Sequence, residues 1–121
     1  MKPLLHANVS VKTHGGCVDD YLPIHNFIDS SKAAHADIRH RAVLHSAFGC
    51  FVVEQVFGTY ITNSAGKKVS VRDVAEEHII QDLGFLPTLE KYLNNMEIQP
   101  WMSGTEKRQS FKKKRHISLE D

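Results

Sequence analysis

The sequence predicts a predominantly helical α+β domain: a long central helix, shorter helices packed against it, and one β-hairpin. Three patterns support this class. Residues 32–57 and residues 71–83 repeat apolar side chains at helical spacing, and two short β-prone runs flank a glycine-containing turn between them. With 121 residues, of which 41% are hydrophobic and 24% charged, the chain is long enough for one hydrophobic core.

The central helix is predicted to run from Lys32 to Phe57, ending before Gly58. One apolar stripe consists of Ile38, Ala42, Phe48, Val52 and Val56, and a second of Leu44, Ala47 and Phe51. A helix that is apolar on most of its circumference is expected to be surrounded by other elements. Gly49 lies inside it at a cost of about 1 kcal/mol relative to alanine, which predicts a close backbone approach there.

The remaining elements follow from caps and turns. Residues 1–19 are expected to be an irregular lead-in, followed by a helix from Tyr21 to Asp29. Residues 59–62 and 68–71 are predicted to pair as the hairpin. Ser70 can cap a helix from Val71 to Leu83 that Gly84 ends.

After this helix, a shorter helix is expected from Pro87 to about Asn95. Residues 99–102 are predicted to form an extended segment held in place by Trp101.

The domain is predicted to span residues 1–103, and residues 104–121 to form a basic flexible tail with six Lys and Arg residues against three acids. Within the tail, a cluster of cations could contact a phosphate backbone: Lys112, Lys113, Lys114 and Arg115. Such a short run is more often a solvated terminus, and no aromatic platform accompanies it.

The sequence argues against a membrane protein, because no apolar run reaches the length of a bilayer span. Cys17 and Cys50 form neither a disulfide framework nor a zinc-finger spacing. The expected compartment is the cytoplasm, or the host cytoplasm if the protein is encoded by a phage.

Histidine is the unusual feature of the composition, with eight residues dispersed along the chain. His78 and Asp82 lie four residues apart on the predicted inward face of the helix over residues 71–83. The carboxylate of such a pair either fixes the tautomer of the imidazole or binds a metal ion together with it.

Other histidines could join this pair from separate helices. His45 lies close to the stripe that contains Ile38, whereas His40 lies on the second stripe, so one straight helix cannot direct both at the same point. At most one of these two should therefore share a site with His78 unless the helix kinks, and His25 on the preceding helix could approach either. Taken together, the candidate metal ligands are His25, His40, His45, His78 and Asp82.

These side chains leave three interpretations open. They could bind Zn, Mn or Fe, and a site with an open position could hydrolyse a phosphoester. They could instead perform acid–base catalysis without a metal, or be structural histidines that form buried hydrogen bonds.

The strings Asp20-Tyr21-Leu22-Pro23-Ile24-His25 and Arg39-His40-Arg41-Ala42 resemble an uncharacterised family of small bacterial and phage proteins. The resemblance continues through Ile61-Thr62-Asn63-Ser64 and Gln99-Pro100-Trp101-Met102 and covers about residues 6–102. It implies a complete domain and a bacterial or phage origin, but it assigns no activity and no catalytic residue.

Three functions therefore remain as hypotheses, of which the third is weak nucleic-acid binding by the tail. The first is a small histidine-rich domain that binds a divalent metal or a small ligand, with phosphoester hydrolysis as its concrete form. The second is a non-catalytic interaction protein, such as a phage-encoded inhibitor of a host system or a homo-oligomerising module, in which Trp101 and the hairpin edge supply contacts.

Overall fold

A computed structural model describes residues 1–104 and confirms the predominantly helical α+β class. The helices are α1 (Pro3–His14), α2 (Val18–Ile28), α3 (Arg41–Leu44), α4 (Ala47–Phe57), α5 (Val71–Leu83) and α6 (Leu89–Leu93). Short 3₁₀ helices cover Ser30–Ala33, Ile38–His40 and Pro100–Ser103. None of the helices in this part of the chain is long and apolar enough to cross a membrane.

The core is formed where α2 and α5 pack together, with α1 and α4 on either side. Its largest apolar side chains are Tyr21, Ile24, Ile28 and Ile79, all of which are fully or almost fully buried. Four histidines are equally buried: His6, His25, His45 and His78. An imidazole removed from water must find hydrogen-bond partners inside the protein, so the packing of these four helices also determines a polar cluster.

The prediction of an irregular lead-in was wrong, because residues 3–14 form α1. Pro3 is at the start of the helix, where its missing N–H costs no hydrogen bond. The buried face of α1 consists of His6, Ala7 and Ser10. Since that face is small and polar, the hydrophobic periodicity that identifies most helices is absent from this segment.

The prediction of one long central helix was also wrong, because the helical conformation is interrupted between α3 and α4. His45 leaves the helical conformation with φ −89° and ψ 61°, and the hydroxyl of Ser46 accepts a hydrogen bond from Gly49 N at 3.1 Å, capping α4. The backbone N–H of Ala47 donates to Pro87 O at 2.8 Å. A local cap and a tertiary hydrogen bond together outweigh the helical pattern of this region.

Because of this break, much of the two predicted apolar stripes does not face the core. Ile38 is 72% exposed, and Phe48, Phe51 and Val56 are each about half exposed. On α4 the buried positions are instead Gly49, Cys50 and Val53.

Gly49 confirms the prediction of a close backbone approach, although the approaching atoms belong to the preceding turn. A Cβ atom at this position would lie 1.8 Å from the carbonyl oxygen of Leu44. The glycine therefore permits the tight turn between α3 and α4, and this turn directs His45 inward.

Replacing Gly49 by alanine is expected to destabilise the protein by about 2 kcal/mol, because the backbone at Leu44 must move to admit the methyl group. Equilibrium unfolding in urea would measure this loss. Val56→Ala, on the exposed face of the same helix, is the control and should change stability by less than about 0.5 kcal/mol. Equal stability of Gly49→Ala and the wild type would contradict this account of the turn.

The hairpin and the helix after it agree with the prediction. β1 (Tyr60–Thr62) pairs antiparallel with β2 (Lys68–Ser70), with Ile61 opposite Val69. The Ser70 hydroxyl accepts a hydrogen bond from Asp73 N at 3.1 Å, and Gly84 ends α5 in the left-handed conformation. The hairpin is thus joined without a linker to the helix that carries His78 and Asp82.

The C-terminal part differs in detail. The predicted helix from Pro87 to Asn95 is reduced to α6, whose N-cap is Thr88. Residues 100–103 form a 3₁₀ helix rather than an extended segment, and Trp101 is 59% exposed instead of anchored. The basic residues predicted to contact nucleic acid, Lys112, Lys113, Lys114 and Arg115, lie outside the described residues.

Candidate metal centre

Four side chains from three segments meet at one buried point. α5 contributes His78 and Asp82, the end of α2 contributes Asp29, and the break between α3 and α4 contributes His45. One ligand atom from each of the four lies within 4.8 Å of all the others. Both imidazoles are fully buried, while the Asp29 side chain is 15% exposed.

The separations between these ligand atoms resemble those around a metal ion. Asp82 Oδ2 lies 3.1 Å from His45 Nε2 and 3.4 Å from His78 Nε2. Asp29 Oδ1 lies 3.3 Å from His45 Nε2 and 3.2 Å from His78 Nε2. Ligands at about 2.1 Å from an ion at the corners of a tetrahedron are about 3.4 Å apart. The four nitrogen–oxygen distances are therefore close to the edges of a tetrahedral site.

Residues behind His78 orient its ring. His78 Nδ1 is 2.9 Å from His25 Nδ1, and His25 Nε2 is 2.8 Å from the hydroxyl of Ser10. That hydroxyl also lies 3.2 Å from the carbonyl oxygen of His6. Hydrogen bonds of this kind to the outer nitrogen of a metal-binding histidine fix its tautomer and the direction of its ring.

The hydrogen bonds that link Ser10, His25 and His78 allow two consistent arrangements of their protons. In the first, Ser10 donates to the His6 carbonyl, His25 donates to Ser10, and His78 Nδ1–H donates to His25. The unprotonated Nε2 of His78 then faces two carboxylates, which is favourable only with a cation between them. In the second, Ser10 donates to His25, His25 donates to His78, and His78 Nε2–H donates to Asp29. The hydrogen bonds of Ser10, His25 and His78 can thus be satisfied with or without a metal ion.

His6 lies next to the four ligands and has a similar outer contact. Its Nδ1 lies 2.7 Å from Gln81 Oε1, and its Nε2 lies 3.2 Å from Asp82 Oδ1. The ring stacks on His78 with centroids 3.7 Å apart. By contrast, Nδ1 of His45 is buried and has no hydrogen-bond partner among residues 1–104. The imidazoles of His6 and His78 therefore have a hydrogen-bond partner on the nitrogen that faces away from Asp82, whereas that of His45 has none in the described part of the chain.

The charges of the cluster favour a bound cation. Burial opposes ionisation of Asp29, but hydrogen bonds from His45 and His78 outweigh it and keep the pKa of this carboxyl below its usual range. Burial also raises the pKa of Asp82. The α-amino group of Met1 and the neighbouring His6 lower this pKa by more, so the net shift is downward. Burial, which disfavours the imidazolium form, is the main cause of the lowered pKa of His78. Ionised carboxylates thus face a neutral imidazole at neutral pH.

Two positive groups offset part of this negative charge. The α-amino group of Met1 donates to Asp82 Oδ1 at 2.9 Å, and Arg41 Nη2 lies 3.9 Å from the same oxygen. Both contact Oδ1, whereas Oδ2 is the atom that faces His45 and His78. The oxygen directed at the centre of the cluster is therefore left without a cationic partner in the described part of the chain.

Of the five candidates from the sequence, His45, His78 and Asp82 lie among the four grouped ligands. His25 lies behind His78 as its hydrogen-bond partner. The His40 ring is 5.8 Å from that of His45, and its Nδ1 is 2.9 Å from the hydroxyl of Ser31, so His40 lies outside the four-residue group.

Sequence reasoning missed Asp29, His6, Ser10 and Gln81. A signal for the first three was present, because His6 and Ser10, His25 and Asp29, and His78 and Asp82 are all four residues apart. This spacing places both members of a pair on one face of a helix. Three such pairs on three helices form most of the cluster, and Gln81 had no comparable signal.

Comparisons with known proteins give a family but no activity. Residues 1–102 match the model of a family described as a domain of unknown function, DUF6915. No curated protein and no solved structure matches the chain.

Proposed function

The chain belongs to DUF6915, a family described as a domain of unknown function, and we propose on this premise that it binds a divalent metal ion and hydrolyses phosphoesters with it. The single observation that carries the proposal is the group formed by Asp29, His45, His78 and Asp82, whose ligand atoms lie within 4.8 Å of one another. Two imidazoles and two carboxylates suit Zn²⁺, Mn²⁺ or Fe²⁺.

The structural interpretation, in which these histidines only form buried hydrogen bonds, accounts for less of the geometry. A neutral imidazole with Nε2–H can donate to one carboxylate, yet His45 and His78 each lie within 3.4 Å of both Asp29 and Asp82. Two carboxylates held this close repel each other unless a proton or a metal ion lies between them. A divalent cation removes this repulsion and uses all four groups.

Hydrolysis requires access for water, and Asp29 provides it. The Asp29 side chain is 15% exposed, whereas those of His45, His78 and Asp82 are at most 1% exposed. Oδ1 of Asp29 faces the two histidines, and the partial exposure of this side chain gives water a route to the centre. A divalent ion held by these four groups, with a further coordination position open on the Asp29 side as Mn²⁺ and Fe²⁺ accept, would lower the pKa of a bound water and polarise a phosphoryl oxygen.

The test is hydrolysis of p-nitrophenyl phosphate by untagged protein after loading with Zn²⁺, Mn²⁺ or Fe²⁺. We expect activity that a chelator abolishes and one of these ions restores. Asp29→Asn, which keeps the shape of the side chain but removes the negative charge of one candidate ligand, should lower kcat by about 100-fold or more. The control is Asp19→Asn on the exposed first turn of α2, which should retain wild-type activity.

Activity that persists at full rate in the chelated protein would refute the metal-dependent mechanism. A metal-loaded protein that hydrolyses neither p-nitrophenyl phosphate nor bis(p-nitrophenyl) phosphate would leave a metal-binding protein without the proposed reaction.

The non-catalytic interaction protein is the second candidate, and one surface favours it. Phe48, Phe51 and Val56 lie on one side of α4 and are each about half exposed, with the two phenylalanine rings 5.9 Å apart. Exposed apolar patches of this kind often contact another protein. Wild-type protein that binds none of the three ions would support this function over the hydrolase.

A further inference from the structure

A cleft of about 470 Å³ opens beside the candidate metal centre, and the two share Asp29. It lies between the start of the chain and the two 3₁₀ helices that follow α2. Its walls include Lys2, Asp29, Lys32, Asp37, His40 and Arg41. This volume is in the range of small-molecule sites.

The cleft has an excess of positive charge that the protein does not neutralise. Among the described residues, Lys2 and Lys32 form no ion pair, and Arg41 has only the 3.9 Å contact with Asp82. Asp37 is already engaged, because Arg39 donates to its carboxylate at distances of 2.7 to 3.1 Å. The other acid, Asp29, faces the metal centre. The free charges of the cleft are therefore cationic.

Arg41 connects the cleft to the centre. Its guanidinium lines the cleft and also approaches Asp82, so a ligand bound by this group lies within a few ångströms of the grouped ligand atoms. Arginine binds phosphate oxygens through two parallel N–H groups, and a lysine adds a flexible point charge.

His40 supplies a polar group to the same wall. The hydroxyl of Ser31 lies 3.0 Å from the His40 carbonyl oxygen and 2.9 Å from His40 Nδ1. If Ser31 donates to the carbonyl, Nδ1–H donates to Ser31, and Nε2 keeps its lone pair. That nitrogen has no hydrogen-bond partner among residues 1–104, so this wall residue keeps one unengaged ring nitrogen.

We infer that this cleft is the substrate subsite of the metal centre and holds the dianionic phosphate of a small phosphomonoester between Arg41 and Lys32. The inference rests on the proposed function, since it names the substrate class of that same centre. Three cationic side chains match a phosphomonoester, which carries about two negative charges at neutral pH, better than a singly charged phosphodiester.

The experiment uses the full chain loaded with the ion that supports activity. Inorganic phosphate is titrated into it calorimetrically, and KM is measured for p-nitrophenyl phosphate. Lys32→Gln and Arg41→Gln should each weaken phosphate binding and raise KM by on the order of 10-fold, because each removes one charge-assisted contact. Metal content should stay at the wild-type level in both variants.

Lys67→Gln, which removes an exposed lysine of the hairpin loop, is the matched control and should leave both quantities unchanged. Lys32 is itself exposed, so its variant tests the subsite without the risk of misfolding. A higher kcat/KM for bis(p-nitrophenyl) phosphate than for p-nitrophenyl phosphate would overturn the assignment to monoesters.

The two proposals fail in different ways. Normal metal content combined with unchanged phosphate affinity and KM in Lys32→Gln and Arg41→Gln would overturn the subsite alone. A wild-type protein that retains no metal would overturn the proposed function and the subsite together.

Discussion

Substitution of His78 by alanine is expected to lower the affinity for Zn²⁺ or Mn²⁺ by more than about 100-fold. Mutation of residues that merely orient a ligand costs roughly 10- to 100-fold, and His78 is itself one of the four grouped ligands. Asp82→Asn is expected to show the same loss while nearly preserving side-chain volume. Metal content by elemental analysis and titration calorimetry would measure both variants.

The same variants should separate metal binding from folding. At a metal concentration 100 times Kd, the wild type should gain about 2.7 kcal/mol in stability, and the variants should gain almost none. His35→Ala is the control, because this imidazole is about half exposed and, among residues 1–104, pairs with Asp37 alone. Metal-free wild-type protein, or equal metal content in the wild type and both variants, would disprove the site.

Acidification from pH 7 to pH 4.5 is expected to destabilise the metal-free protein by about 3 kcal/mol through His25 alone. Burial is the main cause that lowers the pKa of His25 from 6.5 to about 3, and repulsion between the protonated forms of His25 and His78 adds to it. Between these two values the unfolded chain binds a proton that the folded protein does not. The contribution of His25 to the free energy of unfolding is therefore fully present above pH 6.5 and decreases as the pH falls below this value.

Other buried groups either reinforce this trend or act outside the window. The pKa of His78 is also lowered, mainly by burial, so its contribution has the same sign. The pKa values of Asp29 and Asp82 are lowered from 3.8, so the stabilisation they provide is lost only at more acidic pH.

Urea unfolding in the presence of a chelator, repeated at several pH values, would measure this dependence. His25→Asn should reduce the slope between pH 6.5 and 4.5, while His35→Asn should preserve it. Constant or rising stability of the wild type over this interval would contradict a buried neutral His25.

One half of the candidate centre, His78 and Asp82, could be placed together from the sequence because it depends on one helix, and His45 was also a candidate although its predicted helix was wrong. The capping hydroxyl of Ser70 and the glycine at position 84 define the ends of α5, and its apolar positions define the buried face. These are local properties, so the four-residue spacing was enough to place His78 and Asp82 together on the inward side.

The other half depends on how segments pack, and local patterns misled the prediction there. The buried face of α1 is polar, which hides His6 and Ser10 from any search for apolar periodicity. The apolar run around Phe48 and Val56 indicated a continuous helix, whereas the close packing of Gly49 on Leu44 accompanies a turn that directs His45 inward.

The sequence by itself determined the helical class, the hairpin and α5, because caps, turns and residue spacing act within a few positions of the chain. Only the tertiary structure decided that Asp29 and His45 meet Asp82, and that Lys32 and Arg41 border the same centre. Such a meeting depends on the packing of helices distant in sequence, where burial of Ile24, Ile28 and Ile79 determines which polar groups are enclosed with them.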